Sequence, residues 1–218
     1  MKRGYLSEYF EGVAVKRLSA VEADTTRSNQ HEYNATKDML AFMGRPSERS
    51  RLAARFIYLD DQTDEPIIED AFLTLYDSRE NQPHRSAEYR FYFPTSAVSE
   101  KASEGDLLLI ARKRDGSLLV VIAANGSSTV NQLEWLFGFE DGDLQKFSVR
   151  SDLDDEQHRV GFAATVILES LGIEVEQREE NHLESMLSKF GGSFPKTVEF
   201  SAYARETLAG IDPRDDPD

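Results

Sequence analysis

The chain has 218 residues, a formal net charge of −15 and no cysteine, which excludes disulfides, thiolate catalysis and cysteine-based zinc sites. With 39% hydrophobic residues, 13 Phe and 8 Tyr, a packed core is within reach and wholesale disorder is not expected. No stretch approaches the roughly 18 apolar residues of a membrane-spanning helix, and MKRGYLSEYFEG at the start has no apolar run of the secretory kind, so a cytoplasmic protein is expected.

The charge is uneven. Residues 1–114 hold 17 Lys and Arg against 19 Asp and Glu, whereas residues 115–218 hold 8 against 21. A net charge of −15 argues against a nucleic-acid partner. The acid belongs to the second half, however, and a basic face in the first half remains open because local potential matters more than the total.

In chain order, YFEGVAVKRLSA (Tyr9–Ala20) alternates and predicts a first strand. AVEADTTRSNQHEYN is polar and reads as a loop. ATKDMLAFMG predicts a helix, with Met39, Leu40 and Met43 at helical spacing and Gly44 as its stop. AARFIYLDD and DAFLTLYDSR are rich in β-formers and predict two strands, ENQPHRSA a polar loop, and EYRFYF a short aromatic strand ending at Pro94. GDLLLIARKRDGSLLVVIAANG predicts a hairpin, with Asp115-Gly116 supplying the positive φ of its turn. STVNQLEWLFGF predicts a short capped helix closed by Gly138, with Leu133, Leu136 and Phe137 on one side. From about residue 150 the pattern is helical. Three further helices are expected, one ending at Gly172, one at Gly191-Gly192 and one starting at Pro195, followed by a mobile tail.

The expected fold is therefore mainly β with helices (α+β): a closed or nearly closed barrel of six or seven short strands, with helices appended at the C-terminal end. A domain boundary is expected within 172–192. The division taken is 1–175 for the barrel and 176–218 for a helical segment.

His31-Glu32 begins a zinc-protease helix, but Ala35 stands where the second histidine belongs, and His84, His158 and His182 are isolated. Neither phosphate-binding glycine loop nor nucleophile elbow is present. None of the eight lysines has Asp or Glu two residues before it, so the (Asp/Glu)-x-Lys triplet of magnesium-dependent restriction nucleases is missing. Asp152, Asp154, Asp155 and Glu156 read as the acidic first turn of a helix rather than as a cation site. Trp135 and the phenylalanines read as core.

Two polar segments remain. One holds Arg27, Ser28, Asn29, Gln30, His31, Glu32 and Asn34; the other holds Arg79, Asn81, Gln82, His84, Arg85, Glu88 and Arg90. Arginine forks onto guanine, Asn or Gln pairs with adenine, and a carboxylate accepts from the cytosine amine, so this is the vocabulary of base reading. Glu88 and Arg90, two apart on a strand, share a face; that suits a G·C pair or a structural ion pair equally.

At these residues the sequence resembles a known family. YFEGVAVKRLSA, SNQHEYN, SRENQPHRSAEYRFYF, GDLLLIARKRDGSLLVV and QLEWLFGF, in that order, look like the N-terminal effector-binding domain of EcoRII-type (Type IIE) restriction endonucleases, and KFGGSFPKTVEFSAYARE looks like the first segment of that family's nuclease domain. The resemblance implies a DNA-binding pseudobarrel, related to plant transcription-factor domains of that shape, which grips the major groove between two arms. In the family this domain binds a copy of the recognition site as an allosteric effector and covers the nuclease domain when DNA is absent. Carried over, the N-terminal arm is Ser19–Asn34 and the C-terminal arm Ser78–Arg90. The expected DNA-contacting residues are Lys16, Arg27, Asn29, Gln30, His31, Glu32 and Asn34, then Arg79, His84, Arg85, Glu88, Tyr89 and Arg90, with Lys16, Arg17, Arg27 and Arg85 on phosphate. The chain departs from the family at His84, Ser86 and Tyr89, where more basic side chains stand in the family pattern. The family's catalytic residues would lie past Asp218. The expectation is thus a recognition domain without catalysis, cofactor or metal, magnesium serving only the nuclease domain. Its partners would be double-stranded DNA and that nuclease domain, with no membrane. The rival from another class is a protein–protein regulatory module using the acidic helical second half as an autoinhibitory surface; a hydrolase with an unrecognised site is the third option.

Overall fold

The computed structural model describes residues 5–23, 31–63, 65–82, 84–139, 144–154, 162–175, 189–190, 197 and 199. The chain forms two compact units, Met1–Ile173 and Glu174–Asp218. In the first, a short 3-10 turn (Leu6–Glu8) leads to β1 (Phe10–Arg17), α1 (Ala20–Ala23), β2 (Glu32–Asn34), α2 (Lys37–Met43), β3 (Ser50–Leu59), β4 (Ile67–Asp77), β5 (Tyr89–Tyr92), α3 (Ala97–Lys101), β6 (Leu107–Lys113), β7 (Leu118–Ala123), α4 (Ser128–Phe137), β8 (Ser148–Arg150) and α5 (Phe162–Ser170).

The strands form one mixed sheet in the order β2-β5-β4-β3-β7-β6-β1-β8. Its pairs are antiparallel except β3 with β7, which run parallel. Tyr33 and Phe91 come from one end of this order and Ala14, Leu108 and Ile110 from near the other, yet all belong to a single buried cluster. A flat sheet could not bring them together; the sheet is curled into a half-barrel around its core. The fold is mainly β with helices, as expected.

Local chemistry explains the elements. β6 and β7 are buried on both faces, which is why they read as unbroken apolar runs rather than alternating ones. Their hairpin closes with Gly116 at φ +83° and with the Asp115 carboxylate accepting from the Ser117 N–H at 2.8 Å. α2 starts where Thr36 Oγ1 accepts from Met39 N at 3.2 Å and ends at Gly44, φ +82°. On the convex side, α4 covers β1: Phe10 meets Phe137 edge to face at 5.5 Å, and Arg17 pairs with Glu134 at 2.7 Å.

Several expectations are corrected. The stretch from Ala20 to Asn34, read as a loop, carries a helical turn at one end and β2 at the other. β2 and β8 were not expected, and the sheet of the described residues has eight strands. Trp135, read as core, is 46% exposed. Asp152 and Asp154, read as the first turn of a helix, lie in irregular backbone ahead of α5, where Asp154 accepts a hydrogen bond from the Ser7 hydroxyl; Asp155 and Glu156 are outside the described residues. The two helices expected after residue 175 also lie almost wholly outside them.

Candidate nucleic-acid interface

The two polar segments meet at one edge of the sheet. β2 pairs with β5, setting Asn34 opposite Arg90 and Glu32 opposite Tyr92. β5 pairs with β4, setting Arg90 opposite Tyr76 and Tyr92 opposite Thr74. Directly opposed residues share a face, so these six side chains stand on the outer face. Tyr33, Phe91 and Leu75 turn inward and are buried. Tyr33 stacks on Phe93 at 4.4 Å, and this inner stacking anchors the three-residue β2 to its neighbour.

On the outer face a charged network joins the segments. Arg90 Nη1 donates to Glu32 Oε2 at 2.7 Å, while its Nη2 and Nε donate to Glu88 Oε1 at 2.6 and 3.1 Å. Glu88 also pairs with Arg79. The second oxygen of Glu32 accepts from the Tyr76 hydroxyl. The hydrogen bond from Arg90, and then the charges of Arg90, Arg79 and Arg85, hold the Glu88 carboxyl below its ordinary range. Glu32, then Glu88, raise Arg90 further above its already high value. Partial burial, reinforced by Glu32, pushes the Tyr76 phenol up to about 12. The site is thus a charge-balanced cluster of two guanidiniums, two carboxylates and a phenol. The four charged side chains are a sixth to a quarter exposed, so donors and acceptors face solvent side by side.

The loop between β4 and β5 is built, not slack. Asp77 Oδ1 accepts from the N–H groups of Arg79 and Glu88 at 2.9 and 2.8 Å, and Ser78 N donates to Glu88 O at 2.8 Å. These bonds close its root. Towards the tip, Arg79 Nη1 donates to Ser86 O at 3.3 Å, and Arg85 Nη1 to Gln82 Oε1 at 3.2 Å. His84 and Arg85 are exposed.

Glu32, Asn34, Arg79, Glu88 and Arg90 are brought together, and His84 and Arg85 project from the same loop. Tyr89 packs against the core. His31 sits at the other end of β2, its ring 5.5 Å from Phe93 and 6.3 Å from Tyr92, with Nδ1 buried and without a hydrogen-bond partner among the described residues. Lys16 lies elsewhere, in β1, with its ammonium on both oxygens of Glu22 at 2.8 and 2.7 Å. Arg17 is engaged by Glu134. Arg27, Asn29 and Gln30 are outside the described residues. Two aromatic-supported arginines escaped sequence reasoning, although their spacing held the signal. Arg49 and Arg51, two apart, face Phe72 and Tyr76 on the adjacent strand; the guanidiniums lie over the rings at 4.5 Å (Arg49 on Tyr76) and 3.8 Å (Arg51 on Phe72).

Among the described residues, no group of three or more His, Asp or Glu could hold a metal ion, and no helix is long and apolar enough to cross a membrane.

No protein-family model matches the chain, and no curated protein matches it. Several solved structures are similar, two of them as follows. The N-terminal domain of Helicobacter pylori LlaJI.R1 aligns over 64% of this chain and 97% of that one, at 10% identity and a TM-score of 0.41. The B3 domain of UbaLAI restriction endonuclease, solved with cognate DNA, aligns over 64% of this chain and 86% of that one, at 17% identity and a TM-score of 0.34.

Proposed function

We propose that this chain is a sequence-specific double-stranded DNA-binding domain of the effector type found in restriction endonucleases, reading the major groove and making no catalytic contribution of its own. The observation that carries the reading is the Arg79–Glu88–Arg90–Glu32–Tyr76 cluster: residues from two segments more than 40 positions apart in the chain converge on one sheet face and present arginine beside carboxylate. Arginine donates to guanine O6 and N7, and a carboxylate accepts from cytosine N4, so one such pair spans the two halves of a G·C base pair. In this reading Arg90, Glu88 and Glu32 address bases, while Arg79, Arg85 and His84 hold the adjoining phosphates. Asn34 and His31, with Arg27, Asn29 and Gln30, extend the contact from the N-terminal segment. Lys16, already engaged by Glu22, is assigned no phosphate. No cofactor is required. The protein acts in the cytoplasm, with residues 1–175 as the binding domain and the segment 176–218 leading towards a nuclease domain that the bound effector site regulates.

The test is selection from a random duplex pool, followed by titration of the selected and an unrelated duplex. One enriched short sequence, bound more tightly than the unrelated duplex, is expected. The protein-interaction reading has its own support in Trp135 and Val166, 46% and 49% exposed. Absence of any gel shift at low salt would move the assignment to it.

A further inference from the structure

Beside the cluster, the outer face of β3 and β4 carries cations of a different kind. Arg55 is neutralised, donating to both oxygens of Asp70 at 2.9 and 3.2 Å. Arg49 and Arg51 are not. Both are exposed, and neither has a carboxylate partner among the described residues; Glu48, exposed on the preceding loop, is the neighbouring acid. Each guanidinium is instead laid on an aromatic ring, Arg49 over Tyr76 and Arg51 over Phe72. An aromatic face orients a guanidinium and leaves all five of its N–H groups free, whereas a carboxylate occupies those it accepts from. Phe72 is 41% exposed on the open face of β4 that Ile68 and Asp70 share, and its ring is the surface on which Arg51 rests. The Tyr76 hydroxyl is bonded to Glu32, so the ring that carries Arg49 is fixed by the cluster itself. Thr74, directly opposite Arg51, adds a hydroxyl between the two rings.

From this placement we infer that Arg49 and Arg51 form a phosphate rail, a pair of pre-oriented guanidiniums that grip the sugar–phosphate backbone of a duplex whose bases are read by the adjoining cluster. The inference rests on the DNA-binding reading above and adds a contact surface outside both polar segments. Arg51 lies in β3 and Arg49 just ahead of its first residue; the rings that carry them, Phe72 and Tyr76, stand four residues apart on one face of β4, about 14 Å along the strand, so the two engage separated positions along one backbone. The rail carries affinity and register but no sequence information.

The experiment is a salt titration of duplex binding, by fluorescence anisotropy, for the wild type, R49Q, R51Q and R49Q/R51Q, each on the selected and on an unrelated duplex. Circular dichroism checks that the exposed substitutions leave the fold intact. The slope of log K against log salt should become shallower by about 0.9 for each single variant and about 1.8 for the double. Affinity at low salt should fall by the same factor on both duplexes. Wild-type binding with an unchanged slope in the double variant would overturn the rail while leaving the DNA reading standing. Loss confined to the selected duplex would also overturn it, by making these arginines base contacts. A wild type that shifts neither duplex at low salt would remove the DNA reading and the rail together.

Discussion

Arg90 donates in three directions at once, to Glu32 and twice to Glu88, and this sets what its removal should do. Arg90→Ala leaves Glu32 without its cation and Glu88 with Arg79 alone, and takes away the central donor of the proposed reading face. Discrimination at one base pair should fall by roughly 1–3 kcal/mol, measured as the ratio of affinities for the selected duplex and its single-position variants; equal weakening on every sequence would make Arg90 a phosphate contact instead. Glu88 gives a second test, with the sign set by its lowered pKa. Folding favours its ionised form, so its contribution is complete above the ordinary Glu value of about 4.5 and is lost as pH falls through the lowered one. Thermal melts from pH 6 down to about pH 3 should therefore show a shallower acid loss for Glu88→Gln than for the wild type; parallel curves would show that the network does not couple to folding. At this scale the sequence was partly legible. Glu88 and Arg90 share a face by simple alternation, and their pairing was one of two open readings. That Glu32 would complete the site depends on β2 lying beside β5, a register that no local pattern encodes. Tyr89 shows the opposite failure: its position in a polar, arginine-bearing stretch suggested a contact, but the inward alternation of β5 sends it to the core.

Elements stand or fall on contacts that their own sequence does not always reveal. β1 can lie against α2 because Gly12 has no side chain: a Cβ there would sit 2.5 Å from the Phe42 ring. Gly12→Val should overpack this contact and cost about 1–3 kcal/mol in chemical denaturation, with part of the loss recovered in a Gly12→Val/Phe42→Ala double variant. Additive losses would show that the two residues do not share the space. Thr36→Ala, which deletes the cap on α2, should cost about 1 kcal/mol, read from the same denaturation curves. The elements legible in advance are those with internal punctuation: the β6–β7 hairpin with its Asp-Gly turn, α2 between Thr36 and Gly44, and α4 ending at Gly138. β2 and β8 were not legible. Each is three residues long, too short for periodicity to register, and each exists because a longer strand offers it hydrogen bonds.

For the molecule as a whole, topology decides where charge lies. The chain is strongly acidic, yet the described face over β2, β5, β4 and β3 gathers Arg49, Arg51, Arg79 and Arg90, and the loop beside it Arg85. Composition alone hides this, because a net charge averages over surfaces that the fold separates. The fold class was legible from the density of short strands; the parallel pairing of β3 with β7 was not, since only the order of strands in the curled sheet creates it. The two polar segments meet through the Arg90 network on one face of the sheet. The most direct measurement of the account is the affinity of the intact chain for its selected duplex, and for an unrelated one, from 50 to 200 mM salt. The account predicts a tighter complex on the selected duplex, with log K falling linearly against log salt on both. Equal, salt-independent binding to the two duplexes, or none to either at 50 mM, would contradict it.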